Sequence, residues 1–129
     1  MDNTKNTIKV LVTGAYGLLG SHTVRELTEN GYHVRAFGRD PEKLSELAEE
    51  YDCEQIDTFC GDFCNAADIE KACEGMDYVI HCGALLKGWG RRSEYIRTNV
   101  EGTRNVLDAC AKHKIKRLIH TSSPSAHAL

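Results

Sequence analysis

Two kinds of apolar pattern alternate along this chain from one end to the other. The run Ile8 to Val12, rich in β-branched residues, predicts a buried strand, and Leu18 to Leu27 follows with helical spacing. Further strands are predicted at 33–37, 55–60, 78–82 and 117–121, and further helices from Asp40-Pro41 onwards, at 65–74 and at 92–112. Because parallel strands are joined by right-handed crossovers, this order predicts an α/β fold, a doubly wound parallel sheet with helices on both faces.

The last predicted helix and the last predicted strand add two details. The helix 92–112 carries an apolar stripe at steps of four, three, four and three residues, formed by Ile96, Val100, Thr103, Leu107 and Cys110. The strand order expected from the crossovers is 3-2-1-4-5, which leaves the strand at 117–121 on an edge of the sheet. Unpaired backbone groups on such an edge are a template for association, so a homo-oligomer or aggregate is expected.

Composition and charge exclude several classes of function. The 129 residues allow one domain, and a net charge of −3 with a pI near 6.1 argues against nucleic acid as the main partner. No apolar stretch is long enough for a secretory signal or a membrane span, which favours a cytoplasmic protein with no membrane partner. The six cysteines show neither a C-x-x-C pair nor a completing histidine pair, so reduced thiols in the core are expected and no metal site.

A glycine-rich loop, V-T-G-A-Y-G-L-L-G at residues 12–20, lies between the first strand and the first helix. A phosphate-binding turn needs glycine where the chain reverses (Gly14), where the backbone approaches a pyrophosphate (Gly17) and where helix packs on strand (Gly20). The helix N-terminus behind it offers N–H groups and a positive dipole end. Placed directly after the first strand of an alternating pattern, these glycines indicate a dinucleotide site.

The spacing T-G-x-x-G-x-x-G is one residue longer than the common fingerprint, and four further motifs follow in order. These are Gly61-Asp62, His81 to Ala84, Asn99 to Asn105, and Thr121 to Ser125. In them the chain resembles the short-chain dehydrogenase/reductase superfamily, in its extended, NAD-dependent epimerase/dehydratase-like branch. Trp89-Gly90 and the serine-rich ending are most similar to the 3β-hydroxysteroid dehydrogenase-like subgroup. The resemblance implies a Rossmann-like NAD(P)-binding domain over residues 1–129.

The resemblance also implies which residues contact the cofactor. Asp62 is expected at the adenine ring, and His81 is expected to be packed and hydrogen-bonded rather than catalytic. The full set of expected cofactor contacts is Gly14, Tyr16, Gly17, Leu18, Gly20, Arg39, Asp62, Phe63, Cys82, Gly83, Ala84 and Asn99.

The end of the second strand, F-G-R-D at residues 37–40, bears on the choice of cofactor. An NAD site places a carboxylate at this strand end to accept hydrogen bonds from the ribose hydroxyls. That position is held by Gly38, and Arg39 follows, whose guanidinium can bind a 2′-phosphate. NADP is therefore preferred over NAD. Two alternatives remain: Arg39 is simply solvated, or Asp40 acts only as a helix cap.

Two residues match the catalytic pattern that the resemblance implies. Ser123 matches the substrate-binding serine and Asn99 the relay asparagine, beside a tyrosine whose pKa a lysine lowers so that it can act as acid and base. The tyrosine and lysine of the family motif Y-x-x-x-K are absent, because none of the five tyrosines is followed four positions later by lysine. The chain is therefore expected to be the amino-terminal part of a longer enzyme, lacking the substrate region and inactive alone.

Three functions remain open. The first is the NAD(P)-binding portion of an oxidoreductase acting on a hydroxyl or ketone carbon of a sterol-like or sugar-nucleotide substrate. The second is a sugar-nucleotide epimerase or dehydratase with tightly held NAD. The third is a non-catalytic NADP(H)-binding sensor. All three have a dinucleotide as partner, and the two enzymes add a small-molecule substrate.

Overall fold

The computed structural model describes residues 7–84 and 90–122, and within these ranges strand and helix alternate as predicted. The strands are β1 (Lys9–Thr13), β2 (His33–Gly38), β3 (Ile56–Cys60), β4 (Tyr78–His81) and β5 (Arg117–His120). The helices are α1 (Leu18–Glu29), α2 (Pro41–Ala48), α3 (Ala66–Ala72), α4 (Arg92–Tyr95) and α5 (Gly102–Lys112), with a π-helical segment (Ile96–Glu101) between the last two.

The five strands form one parallel sheet in the order β3-β2-β1-β4-β5, which confirms the predicted topology and leaves β5 on an edge. Successive residues of β1 point to opposite faces, and each face has its own core. Leu11 packs with side chains of α3 and α5, whereas Val10 and Val12 pack with side chains of α1 and α2. All three are fully buried, as is usual for a central strand of a parallel sheet.

The prediction of one regular helix over 92–112 is wrong in its middle. The π-helical segment interrupts the α-helical pattern, and the hydroxyl of Thr103 donates to the carbonyl of Asn99 at 2.9 Å just after it. Most of the predicted apolar stripe is turned outwards, since Ile96, Val100 and Leu107 are 39%, 50% and 51% exposed. The face that packs on the sheet is instead formed by Gly102, Val106, Ala109 and Cys110.

Asp40 caps α2, which is the role that the second of the two alternatives gave it. Its Oδ1 accepts from the N–H groups of Glu42 at 3.0 Å and Lys43 at 3.4 Å, while Pro41 occupies the first turn. Asn65 caps α3 in the same way, accepting from the N–H groups of residues 67 and 68. Both caps satisfy donors that a helix start otherwise leaves without partners.

The cysteines follow the core prediction only in part. Cys73 and Cys110 are buried, and a hydrogen bond between their thiols, together with burial, raises the pKa of Cys73. Cys53 and Cys60 are exposed, so for these two the prediction is wrong. Across residues 7–84 and 90–122, no three His, Cys, Asp or Glu side chains are grouped so that they could hold a metal ion. None of the helices described there is both long and apolar enough to cross a membrane.

Candidate dinucleotide-binding site

A cleft of about 440 Å³ opens at the carboxyl ends of the central strands. The chain moves from β1 to β2 on one side and later to β4 on the other, so the cleft lies where the strand order reverses. Open α/β sheets bind their ligands at this kind of switch point. Eleven of the predicted cofactor residues line the cleft: Gly14, Tyr16, Gly17, Leu18, Gly20, Arg39, Asp62, Phe63, Cys82, Gly83 and Ala84.

Close packing explains two of the three loop glycines. Gly14 has φ of +61°, and a Cβ there would lie 2.9 Å from the backbone of Gly83, at the end of β4. A Cβ at Gly20 would lie 1.9 Å from the carbonyl oxygen of Gly14, so α1 can approach the loop only without a side chain. These contacts join the loop, α1 and the end of β4 into one wall of the cleft.

Gly17 differs, because no clash with the described residues requires glycine there. It is the N-cap of α1, its φ of −72° suits any residue, and a Cβ would have only the Gly14 carbonyl nearby, at 3.3 Å. In contrast to α2 and α3, α1 has no side-chain cap and no acidic residue in its first turn. The exposed N–H groups and positive dipole end of α1 therefore face a cleft that can accept an anion.

Tyr16 covers the end of β2, a role that the sequence did not reveal. Its hydroxyl accepts from the N–H groups of Arg39 and Asp40, each at 3.2 Å. A Cβ built on Gly38 would lie 2.4 Å from Cε2 of the Tyr16 ring, so the ring occupies the place of a side chain at the strand end. The ammonium of Lys43 lies 5.4 Å from the ring centroid, a cation–π contact.

The segment after β3 forms the opposite wall. Asp62 accepts from the N–H group of Cys64 at 2.8 Å and donates its own N–H to Asp68 at 3.1 Å. The side-chain amide of Asn105, on α5, donates to the carbonyls of Phe63 and Cys64 at 3.1 and 3.2 Å. Asn105 thus holds this wall in place. The sequence indicates this residue only as the last position of the motif at 99–105, with no role of its own.

His81 is confirmed as a packed and hydrogen-bonded residue, 1% exposed. Its Nδ1 lies 2.6 Å from the hydroxyl oxygen of Thr13, and that oxygen accepts from the N–H groups of Cys82 and Gly83 at 3.0 and 3.1 Å. The ring packs edge-on against Phe63. Burial, and then the neighbouring His120, lower the pKa of His81 to about 4, so the ring is neutral at pH 7.

Neither of the two residues predicted to be catalytic is among the residues that line the cleft in the described part of the chain. Ser123 lies outside the described residues, as does Trp89. Asn99 is on the π-helical segment, and its neighbour Thr98 lines the cleft in its place. The cleft's thiols are not activated: burial and the nearby Asp62 raise the pKa of Cys64, and burial raises that of Cys82.

Known proteins give a consistent comparison. Residues 10–128 match the model of the NAD dependent epimerase/dehydratase family. The chain is 39% identical over 120 residues to a 2-alkyl-3-oxoalkanoate reductase of Stenotrophomonas maltophilia strain K279a, covering 92% of this chain and 34% of the relative. It is 31% identical over 123 residues to the human sterol-4-alpha-carboxylate 3-dehydrogenase, decarboxylating, covering 95% and 31%. The chain thus spans about a third of the length of these curated relatives.

Among solved structures, the fold is similar to a short-chain dehydrogenase/reductase superfamily protein from Agrobacterium tumefaciens with bound NAD. The TM-score is 0.75 and the sequence identity 29%, over 90% of this chain and 33% of the other. The order of the strands, the glycine loop at the switch point and the match over residues 10–128 agree with one another. The chain belongs to the NAD dependent epimerase/dehydratase family, the extended short-chain dehydrogenase/reductases.

Proposed function

We propose that this chain is the NADP(H)-binding portion of an oxidoreductase that acts on a hydroxyl or ketone carbon. The observation that carries the choice of NADP is the end of β2. There Gly38 offers no carboxylate to the ribose hydroxyls, and the Tyr16 ring fills the space where a longer side chain would stand. The exposed guanidinium of Arg39 follows directly at the rim of the cleft.

The charges around this rim favour a 2′-phosphate over a free hydroxyl. Arg39 supplies a forked cation that suits phosphate oxygens, and Lys43 adds a second positive charge through its position over Tyr16. The nearest carboxylate in sequence, Asp40, is engaged by the N–H groups that it caps at the start of α2. A bound phosphate would therefore meet the two cations Arg39 and Lys43 at this rim. The carboxylate of Asp40 would already be stabilised by the N–H groups that it caps.

Support for the reaction class comes from the relatives. Two of the relatives, a 2-alkyl-3-oxoalkanoate reductase and a sterol-4-alpha-carboxylate 3-dehydrogenase, are named for oxidation or reduction at a hydroxyl or ketone carbon. We assign Ser123 to holding the substrate oxygen and Asn99 to the proton relay. The acid/base tyrosine and its lysine are not among the 129 residues. On this proposal the nicotinamide cofactor supplies the hydride, and this chain's residues bind and orient the dinucleotide.

Calorimetric titration with NADPH and NADH tests the proposal. The chain should bind NADPH more tightly than NADH, and Arg39→Ala should remove about 1.5–3 kcal/mol of NADPH binding, the scale of a hydrogen bond to a charged group. NADH binding should barely change. Arg104→Ala is the matched control, since this exposed arginine lies on α5 outside the cleft lining. Equal losses for both cofactors in Arg39→Ala would show that the guanidinium has no phosphate role.

The alternative is a sugar-nucleotide epimerase or dehydratase that holds NAD tightly. The family description and the NAD bound to the Agrobacterium tumefaciens protein favour this alternative. It predicts that the purified chain binds NADH more tightly than NADPH and that Arg39→Ala leaves both affinities unchanged. The same titrations therefore separate the two functions.

A further inference from the structure

A chain of hydrogen bonds runs through His81 and joins two walls of the cleft. At one end are the N–H groups of Cys82 and Gly83, which both donate to the hydroxyl oxygen of Thr13. At the other end is the carbonyl of Asn99 on the π-helical segment, which accepts from the hydroxyl of Thr103. The imidazole of His81 lies between the two hydroxyls, 2.6 Å from that of Thr13 and 3.4 Å from that of Thr103.

The donors and acceptors along these hydrogen bonds fit only one protonation state and tautomer of His81. Since the Thr13 oxygen already accepts two N–H groups, its own hydrogen is directed to Nδ1 of His81, which must be unprotonated. The Thr103 hydrogen is used on Asn99, so its oxygen is left to accept from Nε2–H. Both ends therefore require the neutral tautomer that carries its hydrogen on Nε2.

The positions of the two ends give this tautomer a role. Gly83 lines one wall of the cleft, and Thr98, next to Asn99, lines another. We propose that His81 is a positioning residue, which as its Nε2–H tautomer ties the loop after β4 to the π-helical segment and so sets the width of the cleft between them. This inference rests on the proposed function, because the cleft is taken to be the dinucleotide site.

The neighbours of His81 in the described part of the chain include one other titratable group. Thr13 contacts it from β1, Phe63 from the segment after β3 and Thr103 from α5. The imidazole of His120, on β5, stacks on it with ring centroids 5.6 Å apart. A proton added to His81 would face a hydroxyl hydrogen at Nδ1 and would be repelled by a protonated His120, so the connection would break.

Nuclear magnetic resonance of the nucleotide-free chain tests the connection directly. At pH 7, the nitrogen shifts of His81 should show an unprotonated Nδ1 and a protonated Nε2. Thr103→Val should shift the amide resonances of Cys82 and Gly83, whose N–H groups bond to Thr13 and not to Thr103, and Thr103→Ser should restore them. Thr28→Val is the control, since it removes a helical hydroxyl bond of the same kind, to the carbonyl of Arg25, away from His81. A hydrogen on Nδ1, or unshifted amides at 82 and 83 in a folded Thr103→Val chain, would overturn the proposal.

Titration with NADPH gives the functional readout. Thr103→Val should weaken binding by roughly fivefold, the ratio expected for one neutral hydrogen bond, and Thr103→Ser should bind like the unmodified chain. Unchanged affinity in Thr103→Val would refute the positioning role. If the unmodified chain fails to bind NADPH at all, the proposed function fails. The tautomer and the amide shifts still decide, on their own, whether His81 connects the two segments.

Discussion

The ring of Tyr16 stands where a side chain of residue 38 would have to be. The distance from Cε2 of Tyr16 to a Cβ built on Gly38 is 2.4 Å, which is closer than non-bonded carbon atoms approach in proteins. Position 38, which the proposed function makes the site of cofactor choice, is thus controlled from the glycine loop as well as from β2.

We expect Gly38→Asp alone to fail as a switch to NADH. The new side chain must displace Tyr16, which costs about 1–3 kcal/mol of stability by overpacking, and the proposed ribose site at the end of β2 is disturbed. Tyr16→Ala combined with Gly38→Asp should fold better and gain NADH affinity. Thermal unfolding and titration of both variants check this. A single Gly38→Asp variant that is fully stable and binds NADH tightly would contradict it.

Substitution of Gly17 should mainly affect dinucleotide binding, whereas substitution of Gly20 should mainly affect the stability of the fold. Gly17→Val is compatible with the backbone and should cost only about 1 kcal/mol of stability as a poorer N-cap, while abolishing dinucleotide binding. Gly20→Ala should unfold the chain or lower its melting temperature sharply, because its Cβ would lie 1.9 Å from a carbonyl oxygen. Circular dichroism and calorimetry separate the effects. Normal NADPH affinity in folded Gly17→Val would rule out the phosphate role of the loop.

The stability of the chain should fall between pH 6.5 and pH 4 through His81. Its pKa is about 4 in the folded chain and 6.5 when unfolded, so in this window the unfolded state takes up the proton first. The neutral His81 contributes its full stabilisation above pH 6.5. By pH 4 the chain has lost on the order of 3 kcal/mol of its free energy of unfolding through this group. Chemical unfolding of the unmodified chain and of His81→Asn across this range should give a flatter curve for the variant. Parallel curves would mean that another group is responsible.

The 129-residue chain should bind cofactor without turning over substrate. General acid help is typically worth about 10²–10⁴ in rate, and the tyrosine–lysine pair that would give it is not in this sequence. NADPH absorbance with a panel of ketones should therefore stay constant. Protein-dependent oxidation of NADPH that Ser123→Ala removes would show that a different acid operates.

Association of the isolated chain should depend on the edge strand β5. Ile119 on this strand is 49% exposed, and β5 pairs only with β4 in the described sheet. Ile119→Lys should shift light scattering toward the monomer, because a charge on an edge strand discourages pairing. Leu107→Lys, at a residue equally exposed on α5, is the comparison. If only Leu107→Lys has this effect, the helix face rather than the sheet edge is the contact.

The sequence predicted most of what the backbone does. Strand order and the glycine loop follow from rules that act on local pattern, so Gly14, Gly20 and the Asp40 cap lie as expected. Side-chain partners across the fold carry no local signal. The ring of Tyr16 over Gly38 and the amide of Asn105 on the segment after β3 join residues far apart in sequence. The π-helical turn was missed because its residues keep an ordinary helical composition.

The position of β1 in the middle of the sheet has a consequence for how the chain is assembled during synthesis. Its partner on one side, β2, follows after one helix, but its partner on the other side pairs Val10 with Tyr78. Until β4 leaves the ribosome, one edge of the most apolar strand has no neighbour. Closing that gap requires contacts between residues distant in sequence, which form slowly. A nascent chain stopped before β4 should therefore be held by chaperones, and one that includes β5 should be released.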